Sequence, residues 1–376
     1  MKTPLFQPAA PTPTATVAEF VATFAVILGA IVGLLLFDTA LARVDLTERK
    51  AYAAREFGLG ERLTAQGRTE QGIEHLRTAS TLDGDNSAYG VALAQAILAD
   101  GRPGEAEQIL LPLLERNETG GATNLAMARV LAKEGRLDEA KSYYHRAIYG
   151  LWSVGAEKNR TAARFELIDL LAHANARQEL LAELLPIQGD STSDVAQRKK
   201  IARLFVVAGS PARAVLTFRE LLRRDPRDAD SYVGLAEAAL SLGDFATARI
   251  DLLAAQKLMP EDSVSLRGRI ALTDSVISLD PTQSGLSLPE QVRRSRNLVQ
   301  MTLTSMRTCL GVQAPQVAAA LDSASLLLVG GRAAGQAQSV EQNLSLAEQL
   351  WGLRRSRCAP EAQDGALTLV HNRITK

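Results

Sequence analysis

A glycine that returns every 34 residues is the feature that most constrains the fold of this 376-residue chain. Gly67, Gly101 and Gly135 are spaced by this interval, and Gly209 and Gly243 repeat it further along. Each glycine lies between two apolar stretches, as in LAKEGRLDEAKSYYHRAI. A pattern that recurs at such an interval predicts one small structural unit that is stacked several times.

Each unit is expected to be a pair of helices. Leu125, Ala128 and Leu131 follow the spacing of an apolar helix face, and the glycine ends that helix in a left-handed conformation. A further unit fits if its turn lies near Asn175. Five residues after each glycine a small residue lets the second helix cross close to the first: Gly72, Ala106, Ala140, Ala214 and Ala248. Neither helix buries its apolar stripe alone, so the units must stack.

This pattern resembles the tetratricopeptide repeat (TPR) family over residues 53–262, with about six repeats. Taking the glycine as position 15, the small eighth residue is Gly60, Ala94, Ala128, Ala202 and Ala236, and the bulky twenty-fourth is Leu76, Leu110, Tyr144, Phe218 and Leu252. The chain departs from the family pattern at position 32, where proline occurs only as Pro226 and Pro260. The resemblance implies an all-α fold, a right-handed superhelix of helical hairpins.

The resemblance also implies a binding groove lined by the first helix of each repeat. Its polar members would be Gln95, Arg129, Lys133, Asp169, His173, Lys199, Lys200, Arg203 and Glu237. This set is mostly basic, which suits a peptide with carboxylates; the alternative is that these residues are only solvated helix faces. If they form a groove, reversing the charges of Lys199 and Arg203 should abolish partner binding without unfolding the stack.

The N-terminal part differs in kind. Residues 1–19 are rich in Pro and Thr and are expected to be a disordered tail. Residues 20–42 are predicted to be a transmembrane anchor, because Phe20 to Phe37 is an 18-residue stretch without a charge. A cleaved signal peptide ending at Ala40-Leu41-Ala42 is the alternative. Gly29 and Gly33 have the spacing that lets two membrane helices approach, so a homodimer is a second possibility.

The orientation of the anchor is contested by two signals. Positive residues follow it at Arg43, Arg49, Lys50 and Arg55, which favours a cytoplasmic repeat region. The two cysteines, Cys309 and Cys358, both end predicted helices of one region and form a candidate disulfide, which requires an oxidising compartment. We expect the repeats to lie outside the cytoplasm, in the periplasm of a bacterium.

Residues 263–376 lack the 34-residue interval and are predicted to form capping helices or a small helical bundle. No histidine stands at metal-binding spacing, and no motif of a catalytic or cofactor site occurs. Lys plus Arg equals Asp plus Glu at 42 each, which disfavours nucleic acid as a partner. The sequence therefore predicts a non-enzymatic, membrane-anchored scaffold for a partner protein or peptide, in envelope assembly or polysaccharide export. The alternatives are a purely structural oligomerising element, or an enzyme with an unrecognised site in the C-terminal helices.

Overall fold

The computed structural model describes residues 13–188, 194–260, 263–311, 315, 318–319, 322–323, 336–361 and 364–374. These residues are helical except for turns and one isolated bridge between Gly120 and Leu151. The all-α prediction is thus confirmed. The chain forms two compact units, an N-terminal unit of Met1–Leu167 and a C-terminal unit of Ile168–Lys376.

The helices of the two units follow one another in chain order. The N-terminal unit contains α1 (Pro13–Ala65), α2 (Thr69–Leu82), α3 (Ser87–Ala99), α4 (Pro103–Arg116), α5 (Gly121–Lys133), α6 (Leu137–Tyr149) and the start of α7 (Ala156–His173). The C-terminal unit contains the end of α7, then α8 (Arg177–Leu184), α9 (Val195–Val207), α10 (Pro211–Arg224), α11 (Ala229–Ser241), α12 (Phe245–Leu258), α13 (Ser263–Leu279), α14 (Leu288–Leu310), α15 (Gln336–Arg357) and α16 (Gly365–Ile374).

A left-handed residue joins the two helices of each predicted repeat. The five glycines of the 34-residue pattern have φ between 75° and 83°, and Asn175 takes the same role between α7 and α8 with φ 55°. A side chain at such a φ is strained, and Asn is among the residues that tolerate it. The sequence pattern therefore located each of these turns.

The small residue after each turn lies where two helices touch. Ala106, Ala140, Ala214 and Ala248 are fully buried. At Gly72 a Cβ atom would lie 2.9 Å from the carbonyl oxygen of Gly60, so nothing larger than glycine fits without a shift. This close crossing fixes the position of the two helices of a hairpin relative to each other, and therefore the position of the side chains on the first helix.

Helix α1 runs without interruption from Pro13 into the first repeat. It begins inside the segment that was predicted to be a tail, and the rest of that segment lies outside the described residues. Residues 19–52 are exposed, whereas Ala53 and Leu63 are buried against the repeat. The part from Glu19 to Ala65 includes a stretch long and apolar enough to cross a membrane, at a mean hydropathy of 2.7.

The C-terminal helices share a core with the last repeat helix. Phe245 of α12 packs in one cluster with Leu298, Met306, Trp351 and Val370. Cys309 and Cys358 form a disulfide with their Cα atoms 6.1 Å apart. Beside it, the buried guanidinium of Arg354 pairs with the buried carboxylate of Asp364, and Arg354 Nε donates to Ser305 Oγ at 2.9 Å.

Candidate functional site

The nine polar residues predicted for the groove define what we call the first-helix face. They lie on α3, α5, α7, α9 and α11, the first helices of five successive repeats. Gln95, Lys133, His173 and Lys200 are exposed, and the other five are partly buried. All five partly buried members have ionic partners, and these partners decide what the face can bind.

In the N-terminal unit, Arg129 is engaged by a carboxylate of the next first helix. Its Nε and Nη2 atoms donate to the two oxygens of Glu166 at 2.8 and 2.6 Å. Hydrogen bonding to Glu166 raises the pKa of Arg129, and burial followed by the Glu166 charge raises the pKa of Tyr144, which donates to Glu166 at 3.3 Å. A bidentate pair of this kind holds the guanidinium in one orientation.

In the C-terminal unit, Lys200 and Asp169 form the corresponding link. Lys200 Nζ donates to Asp169 Oδ2 at 2.8 Å, which joins α9 to α7. His173 Nδ1 lies 2.6 Å from the carbonyl oxygen of Asp169, one helical turn away on the same helix. Both side chains of the Lys200 pair are nearly half exposed, so the link is weak in water.

The most buried pair of the face joins α9 to the start of α11. Lys199 Nζ donates to Asp228 Oδ1 at 2.6 Å and lies 3.3 Å from Asp230 Oδ2. Arg203 also pairs with Asp230. Asp228 is the N-cap of α11, because it accepts hydrogen bonds from the backbone N–H and hydroxyl of Ser231. Burial alone would raise the pKa of Asp228, but the bonds from Lys199 and Ser231 lower it.

Glu237 completes the series, since Arg269 of α13 lies 3.2 Å from its carboxylate. Four partners were not singled out from the sequence: Glu166, Asp228, Asp230 and Arg269. Each lies 27 to 37 residues from the group it neutralises. These partners could have been found in the sequence by looking for an opposite charge about one repeat length away. Neighbouring first helices lie side by side at that separation.

Two family profiles match the chain. Both are described as tetratricopeptide repeat, and they cover residues 63–120 and 199–263. These segments contain turns of the 34-residue pattern in both units. The chain contains TPR repeats. No curated protein sequence matches the chain significantly.

Solved TPR structures resemble the chain at low sequence identity. YrrB, described as a TPR protein with an unusual peptide-binding site, is 15% identical, with a TM-score of 0.41, and the match covers 52% of this chain and 98% of YrrB. PilW, a type IV pilus biogenesis factor, is 16% identical, with a TM-score of 0.42, 57% of this chain and 98% of PilW. PilF from Pseudomonas aeruginosa is 16% identical, with a TM-score of 0.42, 59% of this chain and 99% of PilF.

Two members of the TPR first-helix face have no ionic or hydrogen-bond partner in the described part of the chain. They are Gln95 of α3 and Lys133 of α5, both exposed and both in the N-terminal unit. Ala92 and Ala99 lie about one turn before and after Gln95 on α3, and Arg129 lies about one turn before Lys133 on α5. This part of the face therefore offers one amide and one ammonium group.

Other chemistry on the TPR scaffold is limited. Among the described residues, no group of three or more His, Cys, Asp or Glu side chains is arranged to hold a metal ion. Arg136, which follows the turn glycine Gly135, pairs with Glu107 at 2.9 Å, with Glu134 at 3.0 Å and with Glu139 at 2.7 Å. The pair with Glu107 of α4 ties this TPR hairpin to the preceding one, which is a structural role.

Proposed function

We propose that this protein is a membrane-anchored TPR scaffold that holds a partner protein or peptide on the part of the first-helix face formed by α3 and α5. The observation that supports it is the contrast between Lys133, which is exposed and unpaired there, and Arg129, which Glu166 already neutralises. A free ammonium group suits a segment with a carboxylate. Gln95 would bind the main chain of that segment, since its amide both donates and accepts.

The proposed location is outside the cytoplasm, with α1 as the anchor. The disulfide between Cys309 and Cys358 supports this compartment, because structural disulfides persist under oxidising conditions. The positive residues that follow the apolar stretch favour the opposite orientation. We favour the orientation that the disulfide supports. A role in envelope assembly or polysaccharide export fits a scaffold held at the outer surface of the membrane.

The partner site is tested by affinity purification of the full chain from solubilised membranes. Lys133→Glu should reduce recovery of a stoichiometric partner about tenfold, and Gln95→Ala should reduce it less, because a reversed charge repels the ligand carboxylate. Arg68→Glu is the control, since Arg68 is an exposed cation of the same unit at the first turn. Undiminished recovery with Lys133→Glu would exclude this site, and recovery of the chain alone as a homo-oligomer would favour the structural alternative.

The orientation is tested on spheroplasts with protease. A repeat region outside the cytoplasm is degraded in intact spheroplasts. Protection until the membrane is lysed would show that the orientation is the reverse.

A further inference from the structure

The side chains six residues before each turn occupy equivalent places in successive hairpins. In the N-terminal unit they are Glu61 of α1, Gln95 of α3 and Arg129 of α5. The turn glycines that follow them have φ of 79°, 83° and 77°, so the three first helices end in the same way. Phe57 of α1 packs on Tyr89 of α3 with ring centroids 4.8 Å apart, which places these first helices side by side. The three side chains therefore form one row across the first helices.

Two ion pairs show what the side chains six residues before a turn contact. Arg129 binds Glu166, which lies nine residues before the turn residue Asn175. Asp169 lies six residues before Asn175 and accepts from Lys200, which lies nine residues before the next turn. The residue six before one turn thus meets the residue nine before the following turn, once in each unit.

The same geometry leaves the first two members of the row without a partner. The residue nine before the following turn is Ala92 for Glu61 and Ala126 for Gln95. A methyl group neither neutralises a carboxylate nor hydrogen-bonds to an amide. Glu61 is exposed, and its carboxylate has no ionic or hydrogen-bond partner within the described residues. It is therefore a free anionic group on the same face as Gln95.

The free charges of this face lie at its two ends. Arg129 is neutralised by Glu166, whereas Lys133 lies one helical turn beyond it on α5, exposed and without a partner in the described part of the chain. The face thus runs from a carboxylate on α1 through the amide of Gln95 to an ammonium group on α5. Packed helices lie about 8–10 Å apart, which puts the two charges about 16–20 Å apart across α3. An extended chain covers that distance in about five or six residues.

We propose that the N-terminal unit selects an extended segment of a partner protein that carries a basic residue and, about five or six residues away, an acidic one. The basic side chain lies over Glu61, the main chain passes Gln95, and the acidic side chain lies over Lys133. This inference rests on the proposed function, since it uses the same site and adds a second charge to it. The two charges fix the direction in which the segment crosses the helices, because a reversed segment would place like charges together.

The experiment selects random peptides displayed on phage against the purified full chain in detergent, at low ionic strength, where exposed charges are screened least. Wild type should enrich peptides with a basic and an acidic residue about five or six residues apart, in a single chain order. The double variant Glu61→Lys, Lys133→Glu exchanges the two charges at constant net charge and should enrich the opposite order. Glu74→Lys is the control and should enrich the wild-type order, because Glu74 is an exposed carboxylate of the same unit that lies on α2, a second helix.

A fluorescent copy of an enriched peptide then tests each charge separately. Glu61→Lys should weaken its binding to the full chain about tenfold, and Glu74→Lys should leave the binding unchanged. Loss of binding with Lys133→Glu but not with Glu61→Lys would refute this inference and leave the proposed site standing. A peptide whose binding responds to neither substitution would refute both.

Three other results of the selection would overturn the proposal. Enrichment of the same order by wild type and by the double variant, or of peptides with acidic residues alone, would show that Glu61 does not choose the ligand. Peptides that match a segment of this chain would assign the face to a second copy. The absence of any enriched peptide would exclude a linear segment as the ligand.

Discussion

Lys199 Nζ lies 2.6 Å from Asp228 Oδ1, the carboxylate that also caps helix α11. One side chain of α9 thus fixes the start of the next first helix. The same lysine was expected from the sequence to face a peptide ligand. Its ammonium group is already used inside the C-terminal unit, and hydrogen bonding to Asp228 raises its pKa although burial alone would lower it.

Charge reversal at Lys199 is therefore expected to destabilise the stack. Lys199→Glu places a carboxylate beside Asp228 and Asp230, and we expect the free energy of unfolding of the C-terminal unit to fall by about 1–3 kcal/mol. Urea unfolding followed by circular dichroism measures this. The control is Lys200→Glu, whose half-exposed pair with Asp169 should matter less. Equal stabilities for Lys199→Glu and wild type would show that the pair contributes nothing.

Asp251 of α12 should destabilise the protein at neutral pH. Burial raises its pKa to about 6, it is only 7% exposed, and Oδ2 has no hydrogen-bond partner within the described residues. Because this pKa is above the unfolded value of about 3.9, stability is lost as pH rises from about 4 through 6. Asp251→Asn should raise the free energy of unfolding by up to about 3 kcal/mol at pH 7 and little at pH 4. Urea titrations at the two pH values test this, and a gain that does not depend on pH would contradict it.

His371 of α16 should have the opposite pH dependence at low pH. Burial, followed by the charge of Arg355, lowers its pKa to about 4, and its ring stacks on Trp351 at 5.0 Å. Since the folded pKa is below the unfolded value of about 6.5, stability is present above pH 6.5 and is lost as pH falls towards 4. The loss reaches about 3 kcal/mol. His371→Phe should lack this loss of stability between pH 6.5 and 4 relative to wild type, and a pH dependence equal to that of wild type would assign the loss to another group.

Reduction of the disulfide should loosen the C-terminal unit. The bond between Cys309 and Cys358 spans 49 residues, and closing a loop of that length corresponds to about 4 kcal/mol of stability in the chain-entropy model. Urea unfolding with and without reductant measures the difference. The double variant Cys309→Ser, Cys358→Ser should match the reduced protein and should not respond to reductant. An oxidised protein no more stable than this variant would contradict the expectation.

The turns were predictable because their cause is local. A glycine at φ near 80° ends a helix whatever surrounds it, and Asn175 has the same conformational tolerance. The partners of the first-helix face were not predictable in the same way. Whether Lys199 meets Asp228 depends on the rotation of α9 and α11 about their axes, which packing of the whole hairpin sets. Periodicity identifies the face of a helix but not the neighbour across it.

The continuity of α1 had a local signal that was not used. The predicted anchor ended at residue 42 and the predicted repeats began at 53, with no assignment between them. No glycine or proline occurs from Asp38 to Phe57, so nothing in that stretch breaks a helix. Hydropathy detects where an apolar stretch ends but not where the helix that carries it ends.

Because α1 is uninterrupted, the number of residues between the apolar stretch and the first repeat fixes the rotation of the repeat about the axis of α1. Each residue of a helix turns the chain by about 100° and advances it by about 1.5 Å. One residue added between Asp38 and Ala53 would swing the N-terminal unit about a quarter of a turn around α1 while barely lifting it. Four added residues would bring the repeats back close to their original orientation about the axis of α1. If α1 anchors the chain as proposed, the number of residues in this stretch, more than their identity, determines which neighbours in the plane of the bilayer the repeats can reach.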